Sequence, residues 1–279
     1  MMTAWSYVID SMPLQYHEIV DFVLDQGSKV SPRGDPTIEV EDVTIAVRRP
    51  WYALPTGTGR QLNLAIGAVE ALQLIAGTAR PQLLKQVSPN FERLFEGERM
   101  YGMYGDRIGN QLNHVVHKLL HDPDTRQAVI TLWRPDLDND PGHKDYPCTL
   151  GMQFRIRNGR LCMSTVMRSN DVILGLAYDV FQFTQLQLTI ANLIDVDCGQ
   201  YNHHVFSLHL YERDLRLAQS LHRGTEQNAL VGVSGVDVWD VRERARKLLD
   251  DVPLEQPTYT EMWYREQLDK ATARARDRE

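Results

Sequence analysis

Apolar positions recur at near-helical spacing over residues 14–26 (LQYHEIVDFVLDQ), where Ile19, Val20, Phe22 and Val23 form one stripe and Gly27 supplies a stop, which predicts a first helix. The period then changes. Two prolines and a glycine in SPRGDPT at 31–37 put Arg33 on a loop, and the alternation from Ile38 to Val47 reads as a strand. Residues 60–76 return to a helical pattern through Leu62, Ala65, Ile66, Val69, Leu72 and Leu74, with Glu70 inside it, Gly77 as its stop and Pro81 beyond. Another helix is expected at about 107–121, followed by a short strand in QAVITLW. LGMQFRIR and RLCMSTVMR then flank Asn158-Gly159, a pair that tolerates the left-handed backbone of a two-residue hairpin turn. GLAYDVFQFTQLQLTIANLI at 175–194 reads as a long, mostly buried helix, YNHHVFSLHLY as a strand, and 211–221 as a further helix. The character shifts after about residue 223: GTEQNALVGVSG is loop-like, and 236–279 carries two charged helical patterns. The expected architecture is α+β, with a main domain over 1–222 and a helical, charged C-terminal extension over 223–279.

Composition narrows this picture. The chain has 279 residues, 43% of them hydrophobic, enough to bury a core without disulfide or metal staples. No run approaches the roughly 20 apolar residues of a membrane span, and MMTAWSYVIDSMPL lacks the basic flank and apolar run of a secretory signal, so a cytoplasmic protein is expected. Three cysteines, Cys148, Cys162 and Cys198, are an odd and sparse set that fits a reducing compartment. Cys162 alternates within a strand and Cys198 is expected in a polar loop without any motif match, which leaves both as packing residues. The net charge of -7 provides no footprint for a polyanion, so no nucleic acid is required and any bound phosphate is small and locally clamped. His203-His204 and the helical pair His114/His117 lack a third ligand at a recognisable spacing, so no metal is expected. TGTG at 56–59 lacks the Lys-Ser/Thr ending of a phosphate loop and reads as a turn.

The segment DYPCTLGMQFRIRNGRLCMSTVMRSNDVILGLAYDVFQF at 145–183 combines a proline-cysteine before the hairpin, then RS-x-D, then G-L-x-x-D/N opening a helix, with H-x-Y further on. In this it closely resembles the thymidylate synthase superfamily, which includes the pyrimidine nucleotide hydroxymethylases, and the resemblance runs in order from Arg33 to about Leu215. It implies a large twisted mixed β-sheet covered by helices, dimerising through sheet faces into a homodimer with shared active sites. It also implies a pyrimidine nucleoside monophosphate as substrate and 5,10-methylenetetrahydrofolate as co-substrate. By the same resemblance Cys148 is the nucleophile, Glu70 the glutamate that works through water on proton transfers, and Arg33, Arg168 and Ser169 hold the phosphate. Arg126 matches a phosphate arginine that reaches across the dimer, though the second arginine usual beside it is Gln127 here. His209 and Tyr211 match the residues that hold the sugar hydroxyl; Asp171, Gly175 and Tyr178 match positions that contact the folate.

These roles agree with residue chemistry. C5 of a pyrimidine is a poor nucleophile until a thiolate adds at C6, which a cysteine supplies. A guanidinium fork beside a hydroxyl suits a phosphate monoester. The i, i+2 spacing of His209 and Tyr211 on a strand points both to one face. The base is read at Asp179, where thymidylate synthases have asparagine. An amide fits the donor and acceptor of uracil, whereas a protonated carboxyl accepts from the cytosine amine and donates to N3. Thr149, where synthases usually have histidine, matches the deoxycytidylate hydroxymethylases. Leu84 falls at the position of a shielding tryptophan, and the charged tail replaces the closing C-terminus of the synthases, so water rather than hydride is expected to end the reaction. The expected reaction is 5-hydroxymethylation of CMP or dCMP; the competing readings are a methylase of a uridylate and a non-catalytic nucleotide-binding homologue.

Overall fold

The computed structural model describes residues 4–227 and 229–276; the first three residues of the N-terminal stretch and the last three of the charged tail lie outside the described residues. The elements are, in chain order, β1 (Trp5–Ile9), α1 (Met12–Gln26), β2 (Ser28–Val30), β3 (Thr37–Val47), α2 (Leu64–Ala76) and α3 (Pro81–Val87). The short hairpin β4 (Phe95–Glu96) and β5 (Arg99–Met100) leads to α4 (Gly105–Ile108), α5 (Gln111–His121), β6 (Val129–Thr131) and α6 (Pro135–Asp138). Then come β7 (Thr149–Arg157), β8 (Arg160–Met167), β9 (Asn170–Asp171), α7 (Leu176–Leu193), β10 (Asp197–Tyr211), α8 (Leu215–Ala218), α9 (Val238–Leu249) and α10 (Tyr259–Arg276).

One mixed sheet organises the chain, in the order β1-β3-β10-β8-β7-β6, with β2 against β3 and β9 against β10. β1 with β3 and β10 with β8 are parallel pairs; β3 with β10, β7 with β8 and β6 with β7 are antiparallel. Asn158 and Gly159 both take positive φ, 54° and 71°, the backbone a two-residue hairpin needs. The sheet is covered by α1 and α7, and α7 is covered in turn by α2, so nearly all of α7 is buried, its polar side chains included. Polar side chains this deep must find partners inside the protein: Gln187 Nε2 donates to the carbonyls of Leu161 and Gly199 beside the irregularity between Cys198 and Tyr201, while Gln187 Oε1 and Gln185 Nε2 are buried without one.

Three local readings are corrected, and a fourth segment packs more closely than its charge suggests. The helix expected at 107–121 is two helices, because Gly109 at φ 44°, ψ −131° breaks it. The one expected at 211–221 is a single 3-10 turn followed by the four residues of α8. Cys198 lies on β10 opposite Leu161 rather than in a loop. Residues after 223 also do more than trail: Gly224 N–H donates to the Pro13 carbonyl, while α9 and α10 lie on the outer side of α2, with Val241, Ala245, Leu248 and Tyr264 in the main core.

Candidate active site

Cys148 ends a loop whose position is set from two sides. Arg168, just after β8, donates from Nε to the Pro147 carbonyl at 3.1 Å and from Nη2 to the Tyr146 carbonyl at 3.3 Å, and its backbone N–H donates to Cys148 O at 2.8 Å. Further back, Arg107 and Asp138 form a two-pronged pair at 2.7 and 2.8 Å, with side chains only 7% and 0% exposed. A buried pair this well matched holds position strongly, because removing either partner strands the other charge. Thr149 donates from both its backbone N–H, at 3.3 Å, and its hydroxyl, at 3.0 Å, to the Tyr104 phenol oxygen. The Tyr104 proton is thereby left to face the cleft.

Cys148, Glu70 and Asp179 line the same space, from the β7 loop, α2 and α7 respectively. Burial pushes the Cys148 thiol up to about 11, against the pull of the Arg168 guanidinium. Burial and the nearby Asp179 carry Glu70 to about 8, and Glu70 Oε2 has no protein partner. Asp179 is raised to about 7 by burial, opposed by two amide donors: Asn170 Nδ2 to Oδ2 at 2.6 Å and Gln182 Nε2 to Oδ1 at 2.9 Å. Two carboxyl groups that retain protons near neutrality therefore stand beside a thiol. Strongly shifted groups converging in a cleft are the physical mark of an active site.

The cleft is about 800 Å³, of the size that takes a nucleotide and a second organic ligand in part. At one end stand Arg33, Arg168 and Ser169. Ser169 Oγ lies 3.5 Å from His209 Nδ1, and His209 and Tyr211 project together, their rings 5.1 Å apart, while Leu208 and Leu210 are buried on the other face of β10. Arg213 stacks 3.8 Å over the Tyr211 ring and pairs with Asp35 at 2.7 Å, tying the Arg33 turn to the end of β10. Arg33 itself holds φ 53°, a conformation uncommon for a side chain of its size. At the other end, Asp171 Oδ1 accepts the N–H groups of Ile173 and Leu174, shaping the turn that sets Gly175 against the cleft, and the Tyr178 hydroxyl accepts the Asn63 N–H at 3.0 Å. Behind Cys148 a smaller cavity of about 160 Å³ is lined by Glu70, Gln73, Leu84, Tyr104 and Asp179. Gln73 Nε2 and Glu70 Oε2 are buried beside this cavity without protein partners and offer a donor and an acceptor to whatever enters it.

Eleven of the twelve residues singled out from the sequence line the cleft; Arg126, exposed on the loop before β6, does not. Sequence reasoning missed Tyr104, Asn170, Gln182 and Arg213. Asn170 was in view as the variable position of RS-x-D, and Gln182 follows Asp179 by three residues, so it shares its helix face. Tyr104, in the unpatterned MYGMYGD, gave no signal. Cys198 is driven up to about 12 by burial and is inert as a thiol.

The family model described as thymidylate synthase matches residues 14–256. A deoxyuridylate hydroxymethyltransferase of Bacillus phage SP01 is 31% identical over 223 residues, 73% of this chain and 58% of that protein. A putative thymidylate synthase of Methanocaldococcus jannaschii is 34% identical over 127 residues, 44% of this chain and 55% of its own length. The thymidylate synthase of Bacillus licheniformis is 32% identical over 119 residues, 43% and 42% of the two chains. The chain thus spans about half the length of the curated relatives it matches. With the sheet, the cleft and the cysteine in the same order as the matched motifs, the chain belongs to the thymidylate synthase family.

Proposed function

We propose that this chain transfers a one-carbon group from 5,10-methylenetetrahydrofolate to C5 of a cytidylate and ends the reaction with water, giving 5-hydroxymethyl-CMP or -dCMP and tetrahydrofolate. The observation that carries the reading is Asp179, a carboxyl at the floor of the cleft beside Cys148, protonated in part near neutrality and gripped by Asn170 and Gln182. Each carboxyl oxygen spends one lone-pair site on an amide and keeps another for the base. One oxygen accepts from the cytosine N4 amine, and the proton is shared with N3.

Arg33, Arg168 and Ser169 hold the phosphate, and His209 and Tyr211 the sugar. Arg126 reaches the phosphate from a second copy of the chain, which is why it lies away from its own cleft. The folate, when bound, supplies carbon at the oxidation level of a methylene. Asp171, Gly175 and Tyr178 suit its flat ring system: a carboxylate for its donors, a backbone it can approach and an aromatic face. Cys148 adds to C6 as its proton leaves, and the electron pair moves through the ring toward N3, where Asp179 stabilises it. Carbon C5 then bonds to the one-carbon unit; as the C5 proton is lost, the bond from that carbon to the folate nitrogen breaks, tetrahydrofolate departs and an exocyclic methylene is left on the ring, with Tyr104 and Glu70 within the same space to accept and return protons. Water adds to the resulting exocyclic methylene as Cys148 is expelled. The cavity lined by Glu70, Gln73 and Leu84 supports that last step, since it offers polar partners to water where a bulky shield would exclude it.

The name of the phage relative supports hydroxymethyl transfer and favours a second reading, in which uridylate is the acceptor. Incubation with CMP, dCMP or dUMP and methylenetetrahydrofolate separates the two. The expected product is the cytidylate heavier by one CH2O unit, without dihydrofolate; conversion of dUMP alone would refute the choice of cytosine, and dihydrofolate formation would refute termination by water.

A further inference from the structure

Behind the Asp179 carboxyl runs a file of buried polar side chains that the reaction does not touch. Asn170, 3% exposed at the start of β9, donates from Nδ2 to Asp179 Oδ2 at 2.6 Å. Its Oδ1 lies 3.3 Å from His203 Nε2, His203 Nδ1 lies 2.7 Å from the Tyr201 hydroxyl, and that hydroxyl lies 2.7 Å from Thr165 Oγ1. His203, Tyr201 and Thr165 are fully buried, and Thr165 sits opposite His203 in the β8–β10 register. Polar groups this deep persist only when paired, and here the pairing dictates who donates. Asn170 gives its NH2 to a carboxyl, so its carbonyl accepts. His203 Nε2 must then carry the ring proton. The bare Nδ1 accepts, with the Tyr201 hydroxyl at 2.7 Å and the Thr165 hydroxyl at 3.3 Å as its donors, and Thr165 Oγ1 also reaches the Asn202 carbonyl at 3.5 Å. Burial keeps His203 neutral, its pKa pushed down to about 3, so the ring offers one donor and one acceptor at any ordinary pH.

We infer that Asn170 is the positioning residue that aims the Asp179 carboxyl at the base, and that the His203–Tyr201 pair behind it keeps the Asn170 amide from turning over. The groups that act on Asp179 come from several elements: Glu70 of α2, Tyr104 before α4, Cys148 before β7, Asp171 of β9 and Tyr201 of β10. All are acids, phenols or a thiol, so the N–H groups of Asn170 and Gln182 are what draws Asp179 toward ionisation. A turned Asn170 amide would set a carbonyl against the carboxyl, favour its protonated form and redirect its free lone pair. Donors lined up behind Asn170 through a neutral histidine prevent this at no charge cost, because none of Asn170, His203 and Tyr201 ionises near neutral pH.

The inference rests on Asp179 reading the base, and its test is separable from that reading. In protein carrying carbon-13 at the aspartate side-chain carboxyls, the Asp179 signal is assigned by its loss in Asp179→Asn and followed against pH. His203→Phe and Asn170→Leu should each raise the midpoint by about one unit or more, since each weakens or removes a donor to a charged group. His203→Gln should leave it unmoved within about 0.3 unit, because a glutamine offers an N–H to Asn170 and a carbonyl to Tyr201. The alkaline limb of kcat/KM for the nucleotide that is turned over should move in the same order. Where His203→Phe fails to fold, the Asn170→Leu midpoint alone decides whether the amide donor acts on Asp179. An unmoved midpoint in Asn170→Leu, or a shift in His203→Gln as large as in His203→Phe, overturns the inference. Failure of the wild type to use cytidylate would sink the functional reading and leave the carboxyl titration still decisive for Asn170.

Discussion

Asp179→Asn separates chemistry from stability in a single variant. For cytidylate, an amide held by the Asn170 N–H in the orientation that suits uracil mismatches both N3 and the N4 amine, and stranding two hydrogen-bonding groups in a closed site costs roughly 2–4 kcal/mol, or a thirty- to thousandfold loss in kcat/KM. The same amide fits uracil, so the ratio of uridylate to cytidylate efficiency should rise by at least that factor. The pH dependence changes too. In the wild type the proton near Asp179 is lost around pH 7, so cytidylate turnover falls about tenfold per unit above that point, a limb absent from the variant. Stability moves the other way. The unfolded chain sheds this proton from its ordinary carboxylate value upward and the folded chain only near 7, so folding stability declines as pH rises through that interval and stays lower above it. The three-unit span sets a ceiling of about 4 kcal/mol, which access of water from the cleft reduces to a fraction. One further local cost is readable: the Asn170 N–H claims the new carbonyl, which leaves NH2 facing the Gln182 amide, and Gln182 must turn. The assay is kcat/KM for both nucleotides at pH 6, 7 and 8, with thermal melting at the same values. Asp179→Asn should be poorer on cytidylate yet melt higher than wild type at pH 8. An unchanged nucleotide ratio means that Asp179 does not read the base.

Cys148→Ser should abolish turnover, because an alkoxide is far scarcer than a thiolate, while nucleotide binding measured by calorimetry stays within about threefold; activity within tenfold of wild type would remove Cys148 as nucleophile. An inactive Arg126→Ala chain mixed with an inactive Cys148→Ser chain should regain activity, since one site of the mixed dimer holds both intact groups; no recovery despite demonstrated subunit exchange counts against shared sites. Glu70→Gln should slow turnover by at least a hundredfold and, since the Glu70 proton is retained up to about pH 8, should also be spared the loss of stability that the wild type suffers as pH rises from the ordinary carboxylate range to that value. Melting curves of the two proteins that stay parallel from pH 5 to 9 would show that Glu70 is not held protonated.

The order of elements was legible because period and punctuation coincide: the Asn158-Gly159 hairpin, the helix ended by Gly77, and the long α7, free of Gly and Pro, each follow from local patterning. What failed was short and cooperative. Nothing in the pattern of 107–121 reports that Gly109 abandons helical φ/ψ, and α9 and α10 look like solvated charged helices until α2 is placed beneath them. The site was legible only where a motif named it. Glu70 read on its own pattern is an exposed helix residue, and its burial emerges only when α7 is laid against α2. Tyr201 and His203 share a face of one strand by their i, i+2 spacing, but Asn170 and Thr165 are brought to them by β9–β10 and β8–β10 pairing, which is non-local and leaves no trace in a window of sequence.

The cover that α9 and α10 give α2 has a consequence for the timing of folding. Residues 64–76 acquire their outer neighbours from residues 238–276, so the helix that carries Glu70 cannot be enclosed until more than a hundred and fifty further residues have been synthesised. At ribosomal speeds of about 5–20 residues per second, that leaves an apolar helix half-wrapped for on the order of ten seconds or more. During that interval its exposed side is a surface that chaperones recognise and that neighbouring nascent chains can stick to. Yield in the cell is therefore governed by how quickly the last two helices arrive, and substitutions at Val241, Ala245 or Tyr264 should be felt first as loss of recovered protein and only afterwards as loss of rate.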